Sequence, residues 1–222
     1  MKFVTEKAKI VESLQNAAAI AERRQTIPIL ANLRLKIIDG KLEVTATDLE
    51  IQIKTFSDLL EIKEEGETTV SARKMSELCR SLPDNENVEF SLDNGKLSVS
   101  SKNFNADFAT ISSDDFPEIE INEEQRPISI DSAKFKRLLT KTSFSMASQD
   151  VRYYLNGMLL EIGAGKINGV ATDGHRLAFS SVEAGIIDLE TRNILPRKAV
   201  LELAKLLSSN NESIELLIGA SY

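Results

Sequence analysis

The chain has 222 residues, 42% hydrophobic and 27% charged, with a net charge of −7, a globular composition with material for one large domain or two ordinary ones. No apolar run approaches the ~20 residues that cross a bilayer, and "MKFVTEKAKI" lacks the apolar core of a signal peptide, so a cytoplasmic location is expected. One cysteine and one histidine leave no pair for an internal disulfide and no ligand set for a structural zinc.

In chain order, the first helix is predicted over 6–24, where Ile10, Leu14, Ala17, Ala18 and Ala21 make an apolar stripe at 3.6 spacing. Strands follow in "LRLKI", "LEVTA" and "LEIQI", whose alternation is that of antiparallel strands with one buried face. "DG" and "DNG" separate such runs, because tight hairpins need residues that tolerate positive φ. A second helix over 72–82 groups Met75, Leu78, Cys79 and Leu82, which makes Cys79 a core residue. "SSDDFPEIEINEEQRP" is acidic and broken by proline, and reads as a linker. Beyond it, helices are predicted over 132–148 and 196–207.

The chain repeats itself. "DGKLEVTATD" from Asp39 aligns with "AGKINGVATD" from Ala164 at an offset of 125 without a gap. Upstream, "EKAKIVESL" from Glu6 sits opposite "DSAKFKRLL" from Asp131, and downstream "ARKMSELCRSL" from Ala72 matches "PRKAVLELAKLL" from Pro196. A shorter echo sets "GKLEVTATDLEIQI" from Gly40 against "GKLSVSSKNFNADF" from Gly95. The expected fold is therefore α+β: duplicated domains, each of two strand-helix-three-strand half-units, with two helices on one face of an antiparallel sheet. The second copy ends at "SIELLIG", the match of "NVEFSLD", so counterparts of "KLSVS" and "NFNADFATI" are missing and the chain is expected to be part of a longer protein.

Charge is segregated by element. The four predicted helices hold 14 Lys or Arg against 5 Asp or Glu, a net +9 that leaves −16 for the remainder. Lys134, Arg137 and Lys141 form one basic stripe beside apolar Phe135, Leu138 and Leu139. A basic helical layer on an acidic sheet layer suits a protein that holds a polyanion against its helices. No helix-turn-helix spacing or finger cysteines point to base readout, so contact would be sequence-tolerant.

The lone histidine lies in "ATDGHRLA", where Asp173, His175 and Arg176 could be imagined as acid, base and anion clamp. Asp173, however, has Asp48 as its repeat mate in "ATDLEIQI", which has no histidine. The shared Thr-Asp reads as structural, and "GHR" as the second copy's own addition. With no nucleophile motif, phosphate loop or paired metal carboxylates, no enzyme is expected.

"QDVRYYLNGMLLE" (149–161), "VATDGHRLA" (170–178), "PRKAVLEL" (196–203), "TIPILANLRL" (26–35) and "DDFPEI" (114–119) closely resemble the bacterial sliding clamps, the beta subunits of DNA polymerase III. The resemblance runs in register over the whole chain. It implies a non-catalytic processivity factor: a head-to-tail dimeric ring of six domains, helices lining a hole for duplex DNA, sheets forming the outer wall. The chain would hold clamp domain I (1–118), a linker (119–127) and an incomplete domain II (128–222), with domain III absent. No cofactor or metal is implied.

The same resemblance assigns residues. Arg24 and Arg73, with Gln149, Tyr153 and Tyr154, match residues that touch DNA, and phenols offer a hydrogen bond and a stacking face. Arg152, Leu155, Thr172, Gly174, His175, Arg176 and Leu177 match one wall of the groove that takes short peptides from polymerases, the clamp loader and repair proteins. Lys74, Leu78 and an edge strand around Phe104 to Phe108 match the domain I side of the dimer interface. Without domain III, this chain is expected neither to close a ring nor to bind peptide strongly. The alternative is a protein-interaction scaffold that never encircles DNA.

Overall fold

The computed structural model describes residues 1–21, 27–119, 126–185, 190–207, 209–210 and 212–219. The chain divides into two compact units, Met1–Ile119 and Glu120–Tyr222.

In the first unit β1 (Lys2–Glu6) leads into α1 (Lys7–Ala18), and β2 (Asn32–Ile38), β3 (Lys41–Thr47) and β4 (Gln52–Asp58) form a meander. A short β5 (Glu61–Glu64), unexpected from the repeat, pairs with β1. β6 (Glu67–Ser71), α2 (Ala72–Ser81), β7 (Asn87–Asp93), β8 (Lys96–Ser101) and β9 (Phe104–Ile111) restate the pattern. The strands join one antiparallel sheet in the order β4-β3-β2-β6-β9-β8-β7-β1-β5.

The second unit runs β10 (Arg126–Asp131), α3 (Ser132–Thr142), β11 (Gly157–Gly163), β12 (Lys166–Thr172), β13 (Leu177–Glu183), β14 (Thr191–Pro196), α4 (Arg197–Leu206) and β15 (Ser213–Ile218). Its sheets are β13-β12-β11-β14 and β10-β15. Among the described residues β14 and β15 have one ladder partner each, whereas their counterparts β6 and β7 have two. The helix between them is correspondingly less covered: α4 fully buries only Val200, where α2 buries Ala72, Met75 and Cys79.

Local chemistry explains the repeats. Three hairpins turn on one left-handed pair, Asp39-Gly40 (φ 48°, 76°), Asn94-Gly95 (47°, 74°) and Ala164-Gly165 (48°, 74°), the geometry whose twist matches the flanking strands. Ile10, Leu14 and Ala17 of α1 and Met75 and Cys79 of α2 are fully buried on Leu33, Leu35, Leu42 and Val44, each large side chain contributing about 1.5–3 kcal/mol. Burial pushes the Cys79 thiol up to about 12, so it is inert in the folded unit. A lysine from the first helix of each unit caps the second helix: Lys7 Nζ donates to Leu82 O, and Lys136 Nζ to Leu207 O at 2.8 Å. The two lysines are not repeat mates, so the same cap arises from different positions.

Helix lengths depart from expectation. α1 ends at Ala18 rather than 24. α3 ends at Thr142 rather than 148, where the Thr142 hydroxyl donates back to Leu138 O at 2.8 Å and the chain tightens into a 3-10 turn, Ser143–Ser145.

The expectation of one buried sheet face also fails on β2 and β3. Leu33 and Leu35 face the core, but Asn32, Arg34, Glu43 and Thr45 on the opposite face are buried too. The reason is the segment "SSDDFPEI", which is not wholly linker: Phe116 is buried over the Arg34 guanidinium at 5.5 Å, Glu118 Oε2 accepts from Arg34 Nη1 at 3.0 Å and Glu118 also pairs with Lys54. Ile119 N–H donates to Gln52 Oε1 at 3.0 Å. The segment is a strap on the polar face of the first unit.

This strap is pH-sensitive in a defined direction. Hydrogen bonds from Arg34 and then Lys54 hold the Glu118 carboxyl down to about 2, against 4.5 when free. A depressed carboxylate stabilises the fold above its unfolded pKa, and that stability fades as pH falls from about 4.5 towards about 2. The first unit should lose stability across that window less steeply in Glu118→Gln than in the parent, measured as the pH dependence of its unfolding midpoint.

Candidate functional site

Thr172 closes β12, and Asp173 to Arg176 turn the chain into β13. The Thr172 hydroxyl donates to Arg176 O at 2.8 Å and accepts from Gly174 N–H at 3.1 Å. Asp173 Oδ1 accepts from the amides of His175 and Arg176, both at 3.0 Å, which holds its carboxyl below the usual range, and Oδ2 takes Arg176 Nε at 2.9 Å.

The first unit builds the same turn. Thr47 Oγ1 donates to Ile51 O at 2.9 Å and accepts from Leu49 N–H at 3.1 Å, while Asp48 Oδ1 accepts from Glu50 and Ile51 amides at 3.1 and 2.9 Å. The Thr-Asp pair is thus the turn-closing device the repeat implied, and what distinguishes the second copy is what the turn displays. Leu49 sits at φ 76° and Gly174, its mate, at φ 89°. A Cβ at Gly174 would meet Arg152 Nη2 at 3.2 Å, so the guanidinium could rest there only after a small shift.

Arg152 is held from the other side by Asp150, whose carboxylate accepts from its amide (2.8 Å), Nε (3.0 Å) and Nη2 (2.9 Å). The side-chain bonds and then the amide bring the Asp150 carboxyl down to about 2. Asn156 locks the loop, its Oδ1 accepting from Asp150 N–H at 2.9 Å and its Nδ2 donating to Asp150 O at 2.8 Å. Leu155 is buried beneath this loop, and Gln149 (φ 58°), Tyr153 and Tyr154 are exposed on it. The two phenol rings stand edge to face at 6.0 Å, with Tyr153 82% exposed. Arg152 and Gly174 are therefore brought together from two segments, while Leu177 stands 65% exposed at the start of β13.

Sequence reading missed Asp150 and Asn156, although both stand inside "QDVRYYLNGM", because their role is to bind their own loop. It also missed Phe144, 58% exposed, whose ring lies 5.7 Å from the Arg176 guanidinium carbon. A helix running to 148 hides that residue's direction; the observed end at Thr142 turns it outward.

On the helices as observed, twelve Lys or Arg face three Asp or Glu, still a net +9. Lys7, Lys136 and Arg197 work inside the fold, the last donating to Met146 O at 3.0 Å. Lys9, Arg73, Lys74, Arg80, Lys134, Arg137 and Lys141 are exposed. Arg73 pairs with Glu77 at 2.9 Å, a surface contact worth little, and borders a cleft of about 730 Å³ with Ala18, Ala21, Ser71 and Arg80. Arg24 lies outside the described residues.

The interface reading needs adjustment. Lys74 is exposed and Leu78 half-buried against the core, but β9 is interior by sheet order rather than an edge strand. Its ladder with β6 covers Thr110 and Ile111, so among the described residues the stretch with Phe104 and Phe108 is paired on the β8 side alone.

Known proteins share this architecture. Residues 1–120 match the DNA polymerase III beta subunit N-terminal domain, and residues 129–222 its central domain. The chain belongs to the DNA polymerase III beta subunit family. It is 40% identical to the beta sliding clamp of Pseudomonas aeruginosa over 223 residues, covering all of this chain and 61% of that protein. It is 38% identical to that of Escherichia coli (strain K12), again over all of this chain and 60% of the relative. Solved clamps superpose closely: the Pseudomonas aeruginosa subunit with TM-score 0.92 over 97% of this chain and 59% of that one, and the Caulobacter crescentus clamp with 0.91 at 31% identity over 99% and 60%. The fold is the α+β clamp fold, and the chain spans about three fifths of the length of these clamps. Among the described residues no helix is long and apolar enough to cross a membrane, and no cluster of three metal-ligating side chains occurs.

Within this clamp turn, Gly174→Ala should leave the second unit folded, since Leu49 occupies the same place in the first. The positive φ costs it about 1 kcal/mol, and the new methyl displaces Arg152. Unfolding followed by tyrosine fluorescence, which reports only the second unit because Tyr153, Tyr154 and Tyr222 all lie there, checks the first effect.

Proposed function

We propose that this chain is the DNA-embracing and partner-docking part of a sliding clamp of the length its relatives have. In that reading the ring encloses duplex DNA without base readout and tethers the replicative polymerase, so that dissociation is replaced by sliding. The observation that carries it is the helix surface, with exposed Arg73, Lys74, Lys134, Arg137 and Lys141 in a chain whose net charge is −7. Arg24, Arg73, Gln149, Tyr153 and Tyr154 touch DNA. Arg152, Leu155, Thr172, Gly174, His175, Arg176 and Leu177 form one wall of a groove for short peptides of polymerase, clamp loader and repair proteins. Lys74, Leu78, Phe104 and Phe108 meet the next subunit of a homodimeric ring. The protein acts in the cytoplasm, as a non-catalytic subunit.

The test is topological. A polypeptide of the relatives' length that contains this chain, loaded on nicked circular DNA, should stay bound and be lost once the circle is linearised. Equal retention on both forms rejects encirclement, and no retention on either favours a scaffold that works through protein contacts alone.

A further inference from the structure

The two Thr-Asp turns provide an internal control for the residues displayed on the second. Both fold with the same hydrogen bonds, yet Arg176 has Ile51 as its mate and Phe144 has Ala19. The turn thus forms without the guanidinium and without the ring, and the fold does not need the pair. In the second unit the two occur together, the Arg176 guanidinium carbon lying 5.7 Å from the Phe144 centroid.

Phe144 is not core material. It is 58% exposed in a short turn whose neighbours Ser145 and Met146 are buried. Resting on the proposed groove, we propose that Phe144 is a positioning residue: its ring and the Asp173 carboxylate clamp the Arg176 guanidinium from two sides, so that its terminal nitrogens are presented to an acceptor oxygen of the docked peptide beside Leu177. Asp173 takes Nε at 2.9 Å, and among the described residues Nη1 and Nη2 have no protein partner. A planar fork fixed at one nitrogen and one face is pre-organised for a carboxylate or a main-chain carbonyl. The recognised chemistry is an acceptor oxygen next to an aliphatic side chain.

N-acetyl-leucyl-leucine carries both features and serves as the probe, titrated into the 222-residue chain and followed by NMR at the amides of His175, Arg176 and Leu177. A cation-π contact at an exposed site predicts that Phe144→Leu weakens binding about two- to fivefold and that Phe144→Trp restores it. In an Arg176→Gln background the Phe144 substitutions should have no further effect. A Phe144→Leu loss that persists in that background overturns the proposal, because the ring then touches the peptide itself; so does saturable binding that Phe144→Leu leaves unchanged. No saturable shift, either in this chain or in a polypeptide of the relatives' length that contains it, would instead overturn the groove reading on which the proposal rests. The Arg176 Nε–H exchange rate, read without probe, should rise in Phe144→Leu and be unchanged in Phe144→Trp; an unchanged rate in Phe144→Leu rejects the clamp whatever the probe does.

Discussion

Replacing Lys134, Arg137 and Lys141 together by glutamate should abolish measurable binding of the chain to a short DNA duplex. The three side chains are exposed on one face of α3, opposite Phe135, Leu138 and Leu139, which are at most 1% exposed. If each neutralises one phosphate, the slope of log K against log salt falls by about 3. Extrapolated from ~1 M to ~50 mM salt, that is roughly three- to eight-thousandfold in affinity. Fluorescence anisotropy across a salt series measures both quantities. The control is a second triple reversal at Lys41, Lys96 and Lys166, also exposed but on hairpins rather than helices. It adds the same charge and should cost far less; an equal loss would mean that net charge, not the helix surface, sets the affinity.

Arg34→Met should destabilise the first unit by about 3–5 kcal/mol, the usual cost of removing one member of a buried ion pair. Arg34 and Glu43 are 8% and 7% exposed and bonded at 3.1 Å, and Glu118 joins at 3.0 Å. Without the guanidinium, the one partner Glu43 keeps among the described residues is the Thr45 hydroxyl at 3.0 Å, in a site largely shielded from water. The strap loses both Glu118's partner on β2 and the cation under Phe116.

The chain supplies its own reporter. Cys79 is its only cysteine and is buried in the first unit, so thiol labelling reports that unit's opening; 3–5 kcal/mol corresponds to labelling faster by about two to four orders of magnitude. The tyrosine signal of the second unit should not move. Removing the two carboxylates that Arg34 serves as well, in Arg34→Met with Glu43→Leu and Glu118→Gln, should recover most of the loss, since Glu43 is left without a cation and Glu118 with Lys54 alone. A triple variant as unstable as Arg34→Met would show that packing under the strap, not charge balance, is what Arg34 contributes.

Much of the fold was legible because its signals are local. Period-2 alternation, left-handed Asp-Gly and Asn-Gly pairs, and a repeat at offset 125 each act over a few residues, and together they define the half-unit. The buried polar layer was not legible. Alternation in "LRLKI" marks Arg34 as outward, and no local rule says that Phe116 and Glu118, more than 80 residues later, will cover it. β5 was missed for a similar reason: Glu61–Glu64 is charged and exposed, and only its pairing with β1 makes it a strand.

The candidate site divides along the same line. Comparison of "ATDGHRLA" with "ATDLEIQI" was enough to separate a turn-closing Thr-Asp from a displayed Gly-His-Arg, and the hydrogen bonds of both turns agree with that division. What only the tertiary structure decided was contact across the chain: Arg152 lying over Gly174, Asp150 and Asn156 holding the loop, and Phe144 under Arg176. The physical reason is range. Backbone torsion preferences and alternating burial are properties of neighbouring residues, whereas a guanidinium finds its carboxylate or its ring only after distant segments have been packed against each other.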